Sequence, residues 1–443
     1  MKTVVLCTPN GFSNRRSARA ARRAAARPRA PLARSSFTVA STLLLLSASG
    51  SGCGSSNNGP GPGPSVDAGT DLDSNAPLDA STPIDASSPD APAADAAPDS
   101  GAPTVVPSNF SLSAVTTTGI GDVNVDGTNG NCAIDTDMGT ISCNNQTTPY
   151  PFAVTPVTLT GGAGHATLFS VASFEVATGI NLRVTGSKPA ILYSLGPVDI
   201  QGVIDLSAGG AGYSTTNPGA AAAPGTVPVG DAGETSAGGG GASFCGTGGG
   251  GAPIVTSGPT DPPGATYGTA DLIPLWGGSA AIGNNGWASA GGGLQITSQV
   301  SITVEASGGI NASGGGGSLN NDQPSGGASG GGVLLESLSV TVAGFIAANG
   351  GGGADLTSGG TNGTANTNPA PGGGAAGGAG SGGATVDGQS GTTVITTNNG
   401  GGGGGAGRIR INTLNADASG VADGTFSPAL TTACATVGAV ATE

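Results

Sequence analysis

Charge is scarce in this chain. Asp, Glu, Lys and Arg make up 9% of its 443 residues, against roughly a quarter in ordinary domains. Aromatic residues are 3%, and His165 is the one histidine. A lone loop histidine with no Cys, Asp or second His beside it supplies neither a zinc set nor a triad. No glycine run is followed by Lys-Ser or Lys-Thr, which excludes a phosphate-cradling P-loop. A Ser-centred Gly-x-Ser-x-Gly elbow is not supported either, because Gly-Ser-Gly combinations arise by chance in a chain this rich in glycine. Basic residues are scarcest where they would matter for nucleic acid. Residues 1–52 hold nine of the 13 Lys and Arg and no acid, whereas 53–443 hold four (Arg183, Lys188, Arg408, Arg410) against 27 acids, a formal balance of −23. Such a surface repels phosphate backbones and excludes a nucleic-acid partner.

What is abundant is glycine, 86 residues, with 30 prolines, together about a quarter of the chain and at the level of low-complexity sequence. Met1 to Ser36 is basic and rich in Arg and Ala, and Phe37 to Gly52 is apolar and then small. That order describes a secretory signal whose apolar run is too short to span a bilayer comfortably. Cys53 follows at the small-residue boundary, where a bacterial lipobox has its acylated cysteine, although Gly50 stands where that motif usually has Leu. The polar stalk that follows favours acylation at Cys53, a membrane anchor and an outer-membrane or cell-surface location. The alternative is ordinary cleavage near Ala48–Gly52 and secretion. Arg15-Arg16 offers a twin-arginine signal but lacks the apolar residues expected after the pair, and Cys7 falls in the removed segment. Residues 53–107 repeat Asp-Ala among Pro and Ser. They cannot bury enough surface to offset ordering entropy and read as a disordered, extended linker.

From 108 onward the sequence reads as all-β. Cys132 and Cys143 flank two short strands turning at Asp137-Met138-Gly139, which sets them opposite each other for a disulfide in an exported protein. The pairing of Cys245 with Cys434 stays open. From Ala166 to Gly210 apolar residues alternate with polar ones, broken every few residues by Gly or Pro. Val198 to Gly210 is the best copy of a strand–glycine–strand pattern. It returns at Val304, Ala306, Gly308, Ile310 and at Val340, Val342, Gly344, Ile346, with a worn copy at Ala416, Ala418, Gly420, Ala422. The corner glycines Gly202, Gly308, Gly344 and Gly420 are separated by 106, 36 and 76 residues, near three, one and two times a unit of about 35. Another strand-like run precedes each corner, around Ile191, Thr297, Val333 and Ile409. One unit therefore reads strand, turn, strand, glycine corner, short strand, which predicts a right-handed parallel β-helix or solenoid over 166–443, with a disulfide-bearing cap over 108–165. The glycine tracts at 211–291, 314–332 and 350–407 interrupt it. Ordering glycine is costly, so mobile insert loops are the default expectation for them, ahead of extended strands packed through main-chain hydrogen bonds.

Candidate chemistry is sparse. Asp122, Asn124, Asp126 and Gly127 resemble the start of an EF-hand loop, but its twelfth position is Ala133, and a looser calcium site is what remains. Val123, Val125 and Gly127 also fit the repeat. Gly350 to Thr357 resembles one calcium-binding nonapeptide of RTX proteins, without its large apolar residue or tandem copies. Asp199, Asp205, Arg183 and Lys188 suggest a polysaccharide-cleaving β-helix, yet both acids fall on outward-facing positions. Arg408 and Arg410 share a strand face and are candidates to grip an anionic glycan or to pair with surplus acids. Trp276 and Trp287 are candidates to stack on sugar rings or to cap an insert.

In its repeats and tracts, over residues 166–430, the chain resembles two groups: glycine-rich exported proteins of GC-rich bacteria (PE-PGRS-like proteins and myxobacterial surface lipoproteins) and the β-solenoids of haemagglutinin-type adhesins. The hallmark amino-terminal domain of PE-PGRS proteins is absent. The resemblance implies a non-enzymatic surface protein for adhesion or envelope structure, with glycan or matrix as partner. It carries over no catalytic residues and no resident cofactor other than the calcium candidate.

Overall fold

Alternation of period two buries one face of a strand, and stacking such strands joins the buried faces into a core. The computed structural model describes residues 103–162, 164–207, 238–253, 261–282, 287–320, 323–395 and 398–443. The signal, Arg15-Arg16, Cys7, Cys53 and the linker up to residue 102 lie outside the described residues. The described chain is all-β. Its helical content there is three short 3-10 turns, Leu112–Ala114, Leu414–Ala416 and Ser419–Val421.

Three sheets carry the fold. Sheet one runs, in spatial order, Ala153–Thr158, His165–Val171, Ala190–Ser194, Gly293–Ser298, Gly332–Glu336, Arg408–Thr413 and Ala435–Ala439. Sheet two runs Asp122–Val125, Ser173–Val176, Val198–Ile200, Ser301–Val304 and Ser339–Val342. Sheet three runs Thr140–Cys143, Cys132–Asp135, Asn181–Thr185, Val203–Asp205, Gly309–Asn311, Phe345–Ala347 and Thr425–Ser427. The chain visits sheets one, two and three in turn, and each strand pairs in parallel with its counterpart in the next passage. Antiparallel pairing enters these sheets at their first strands, in the two hairpins 132–143 and 153–171. The strands of 108–165 thus belong to the same sheets as the rest.

The register lines up like residues. In sheet two, Val123, Phe174, Val198, Ile302 and Val340 stand in one row. In sheet three the row is Cys132, Leu182, Ile204, Ile310, Ile346 and Phe426. In sheet one it is Phe169, Leu192, Ile296, Leu335, Ile411 and Val437. Apart from partly buried Val437, these residues form a single buried cluster, each large side chain contributing about 1.5–3 kcal/mol on burial.

Two details of the repeat differ from the sequence reading. Val304 pairs with Ile200, not with Val198, because the corner before Gly308 has two extra residues. In the last passage Phe345 pairs with Thr425, so Gly424 takes the position of Gly344 and Gly420 lies within a 3-10 turn. At the other corners glycine is required by close approach. A Cβ on Gly202 would stand 2.5 Å from the carbonyl oxygens of Ala177 and Ile180, and one on Gly308 would stand 1.9 Å from that of Ile200.

Sheet one is buried on both faces. Its strands Ala190–Ser194, Gly293–Ser298 and Gly332–Glu336 are buried at every residue. Its outer face carries Leu168, Ile191, Tyr193 and Leu334 under Phe110, Phe244, Leu272 and Leu275. Part of that cover is an N-terminal strap. Residues 103–107, which the sequence assigns to the linker, begin it: Val105–Val106 pairs antiparallel with Ala441–Thr442. Val105 also exchanges two hydrogen bonds with the Gln299 side chain, at 2.8 and 2.9 Å.

The glycine runs at 238–253, 325–332, 348–355 and 399–407 are packed and almost wholly buried, contrary to the default expectation of mobile loops, whereas 357–359, 364–369 and 384–394 lie largely at the surface. They leave the stack at one corner, between a sheet-three strand and the next sheet-one strand. Residues 400–407 form the axis of a bundle. Gly401, Gly404 and Gly407 donate to the carbonyls of Ala354, Gly351 and Ala348; Gly402 and Gly405 to Gly239 and Ala242; Gly403 and Ala406 to Gln389 and Val386. In return, the carbonyls of Gly400, Gly403 and Ala406 accept from Ala252, Gly249 and Gly246; those of Gly401 and Gly404 from Gly378 and Ser381; those of Gly402 and Gly405 from Gly327 and Gly330. The axis thus has six neighbours, each engaged at every third residue. A repeat of three with no internal bonds is the geometry of the polyproline II helix. A Cβ on Gly403 would stand 1.9 Å from the Ala379 carbonyl oxygen, and one on Gly404 2.0 Å from that of Ala328. A side chain is therefore excluded at these two positions.

Candidate functional site

Sheet two presents a broad polar face whose strands keep strict alternation. Val123, Val125, Phe174, Val176, Val198 and Ile200 point inward, which leaves Asn124, Glu175, Asp199, Thr303 and Thr341 as one outward row, each opposite the next. Ser301 and Ser339 form a second row beside it. The Asp199 carboxylate accepts from Gln201 Nε2 at 2.8 Å through one oxygen, and its other oxygen has no partner among the described residues. Asp122 Oδ1 accepts from the Ser173 hydroxyl at 2.6 Å.

The calcium candidates do not converge. Asp122 and Asn124 lie on an extended strand, Asp122–Val125, and not in an ion-wrapping loop. Asp126 is engaged with the Thr128 amide, at 3.0 Å, and hydroxyl, and these bonds hold its carboxyl below the usual range. Among the described residues no three His, Cys, Asp or Glu come together in a metal-holding group. Gly350–Gly353 belongs to the glycine bundle. The Asp355 that follows uses both oxygens on Thr357, Ser358 and Ala375, at 2.7–3.1 Å, so the nonapeptide resemblance is a turn and not an ion site.

Asp199 and Asp205 fall on different sheets. Asp205 pairs with Arg183 at 2.8 Å across adjacent strands of sheet three, and its other oxygen accepts from the Ser207 amide. Lys188 joins neither acid in an ion pair among the described residues. His165 is exposed, 3.5 Å from the Thr158 hydroxyl. Arg410 reaches Asp271 at 3.3 Å, Asn412 and Thr436. Arg408 lies over the Phe244 ring at 5.7 Å and donates to the Tyr267 carbonyl. Burial pushes its pKa down and pushes the Tyr267 phenol well up. Both arginines thus serve the cover of sheet one. Trp276 packs into that cover, and the Trp287 main chain exchanges two hydrogen bonds with the Ser318 hydroxyl.

Cys132 and Cys143 lie directly opposite each other across the hairpin, with Cα atoms 4.0 Å apart, and are bonded. Cys245 and Cys434 are also bonded, at a Cα separation of 5.6 Å, and tie the bundle to the end of the stack. Two disulfides suit an oxidising, exported setting. No helix among the described residues is long and apolar enough to cross a membrane.

Sequence reasoning missed Glu336. It is wholly buried on the outer face of sheet one. It accepts from the Ser108 amide at 3.2 Å and the Ser108 hydroxyl, Gln295 Nε2 at 2.8 Å, Thr297 Oγ1 at 3.2 Å and Asn412 Nδ2 at 3.2 Å. Its signal in the sequence is a carboxylate inside the apolar run VLLES. Compared with family models, with curated proteins and with solved structures, the chain matches none.

Proposed function

We propose that this is a non-enzymatic, exported protein of the bacterial cell surface, serving adhesion or envelope structure. In this reading, Cys53 carries lipid and holds the protein at the outer membrane, the segment 54–102 spaces it, and the described domain is a parallel β-solenoid. The solenoid is right-handed, the hand that parallel crossovers adopt. The observation that carries the reading is the passage-by-passage pairing of three parallel sheets, with the loops of one corner gathered into a main-chain-bonded bundle. Such a body offers long, regular, rigid faces and buries its titratable Glu336 in structural contacts. Rigid faces on a spacer suit attachment to glycan or matrix.

Cell fractionation with mass spectrometry of the mature N-terminus tests this. The expected result is an outer-membrane protein beginning at an acylated Cys53. A cytoplasmic protein with an intact N-terminus overturns it. So does cleavage of a polyuronate that is lost in Asp199→Ala or Lys188→Ala.

A further inference from the structure

Sheet two stops one passage early. Sheets one and three continue with Arg408–Thr413 and Thr425–Ser427, but between them the chain makes two 3-10 turns in place of a strand. Beyond Ser339–Val342 this leaves an open cleft of about 520 Å³, within the usual range for ligand sites. Its wall carries Ser339, Thr341, Leu414, Asn415, Asp417 and Ser419.

The wall is unusual in three respects. First, the side chains of Ser339, Thr341 and Asn415 have no hydrogen bond among the described residues and are exposed. Second, Asn415 and Ala416 both have φ of 58°, a left-handed conformation that costs a non-glycine residue energy and gathers at ligand clamps. It sets the course of the backbone that carries Asn415 and Asp417 at the rim. Third, Asp417 accepts from the Ser419 amide at 2.9 Å. That N–H, with the Ser419 hydroxyl, holds its carboxyl below the usual range, so the cleft keeps a charged acceptor with a second oxygen to offer.

The lining has one carboxylate and no cationic side chain. An anionic ligand would meet a negative charge, and a divalent cation would find too few hard ligands. Hydroxyl and amide donors, one ionised acceptor and the exposed side chain of Leu414 match the hydroxyls and C–H faces of a sugar. We propose that this cleft binds a neutral oligosaccharide. Its chain continues from the cleft over Ser301 and Thr303, which stand opposite Ser339 and Thr341 on the neighbouring strand. The inference rests on the adhesion half of the proposed function and names its ligand class.

The test is calorimetry of the exported protein against an array of neutral oligosaccharides (glucans, mannans, galactans and chitin fragments). Asp417→Asn and Asn415→Gly should each weaken binding by about tenfold or more, the value of a hydrogen bond lost to a charged or well-fixed group. Thr303→Val should cost about threefold or less, being at the far end of the track. Asn415→Gly keeps the fold, since glycine accepts φ of 58° freely, and an unchanged melting curve verifies this. If no neutral oligosaccharide binds the unaltered protein, if binding persists undiminished in Asp417→Asn and Asn415→Gly, or if an extended peptide takes the cleft instead, the inference fails. Fractionation separates the two ideas: loss of binding by a protein still found at the surface removes this inference alone.

Discussion

The strand stack and the glycine bundle are two ways of making a solid. In the stack, rows of Val, Leu, Ile and Phe exclude water, and the main chain follows from parallel pairing. In the bundle there are almost no side chains to bury, and the axis 400–407 is held by main-chain bonds to six neighbours. A net hydrogen bond contributes about 0.5–1.5 kcal/mol, no more than the roughly 1–2 kcal/mol that ordering each residue costs. The bundle therefore depends on being held from outside: by the stack strands its segments leave and re-enter, by the Phe244–Tyr267–Trp276 cover, and by Cys245–Cys434. The stack shares the cover, which buries the outer face of its sheet one, but its inner rows are held by their own side chains.

The largest expected effect follows from that difference. Cys245–Cys434 closes a loop of 189 residues, for which chain entropy gives an upper estimate of about 5 kcal/mol. The double variant Cys245→Ser/Cys434→Ser should lower stability by an amount approaching this. It should also raise amide exchange in 400–407 more than in Ile302–Val304. Equal loosening of both regions would show that bundle and stack melt as one unit. Ile310→Ala comes next. Ile310 is fully buried between Ile204 and Ile346, and its truncation should cost about 2–5 kcal/mol. Chemical denaturation measures it, and the stack should carry the loss.

Much of the stack was legible. Period-two alternation and glycine corners located the strands Val198–Ile200, Val203–Asp205 and Ser339–Val342, and the spacing of Cys132 and Cys143 identified their bond, whereas the strand Ser301–Val304 was read two residues late, at Val304–Ala306. The misreading at Gly420 has a physical cause. Once the strand of sheet two is replaced by 3-10 turns, no inward row disciplines the sequence, and a glycine four residues early looks like the corner. Sheet one was half legible. Its outer face is covered by residues 103–112 and by Phe244, Tyr267, Leu272, Leu275 and Trp276, so polar residues such as Gln295, Thr297 and Glu336 are buried where alternation implies exposure. The bundle was not legible as order, because hydrophobic periodicity is the signal used and its segments have none. A repeat of three in glycine has no side chain in which to show itself. The cleft was hidden for the related reason that it is made by the absence of one strand from a sheet.

Gly403→Ala probes the bundle directly. A Cβ there would meet the Ala379 carbonyl oxygen at 1.9 Å, with the carbonyl carbon at 2.4 Å, and main chain cannot step aside as a side chain can. Overpacking of this kind costs about 1–3 kcal/mol, below the Ile310→Ala loss. The outward Thr303→Val should by contrast stay within about 0.5 kcal/mol. A Gly403→Ala protein as stable as the parent, by thermal melting, would mean that the bundle breathes enough to admit a methyl group.

Asp355 offers the finest division between the two regions, through pH. It is shut away from solvent. Burial pushes its carboxyl up, but the Thr357 hydroxyl and the amides of Thr357 and Ser358 together outweigh that and hold it below the usual value. A carboxyl lowered on folding contributes stability that is complete above its unfolded pKa, about 3.9, and is lost as pH falls through the folded value. Amide exchange of 350–358 and 372–378, corrected for the intrinsic rate, should therefore stay flat from neutral pH to about pH 5 and rise below about pH 4. The stack strands Val198–Ile200 and Ser301–Val304 should not follow to the same extent. Asp355→Asn should remove this pH response and show the raised exchange already at neutral pH, because an amide oxygen accepts more weakly than a carboxylate does and one of the four donors would lose its acceptor. A response identical in the parent and Asp355→Asn would place the acid sensitivity on another carboxylate and leave the bundle held by its main chain alone.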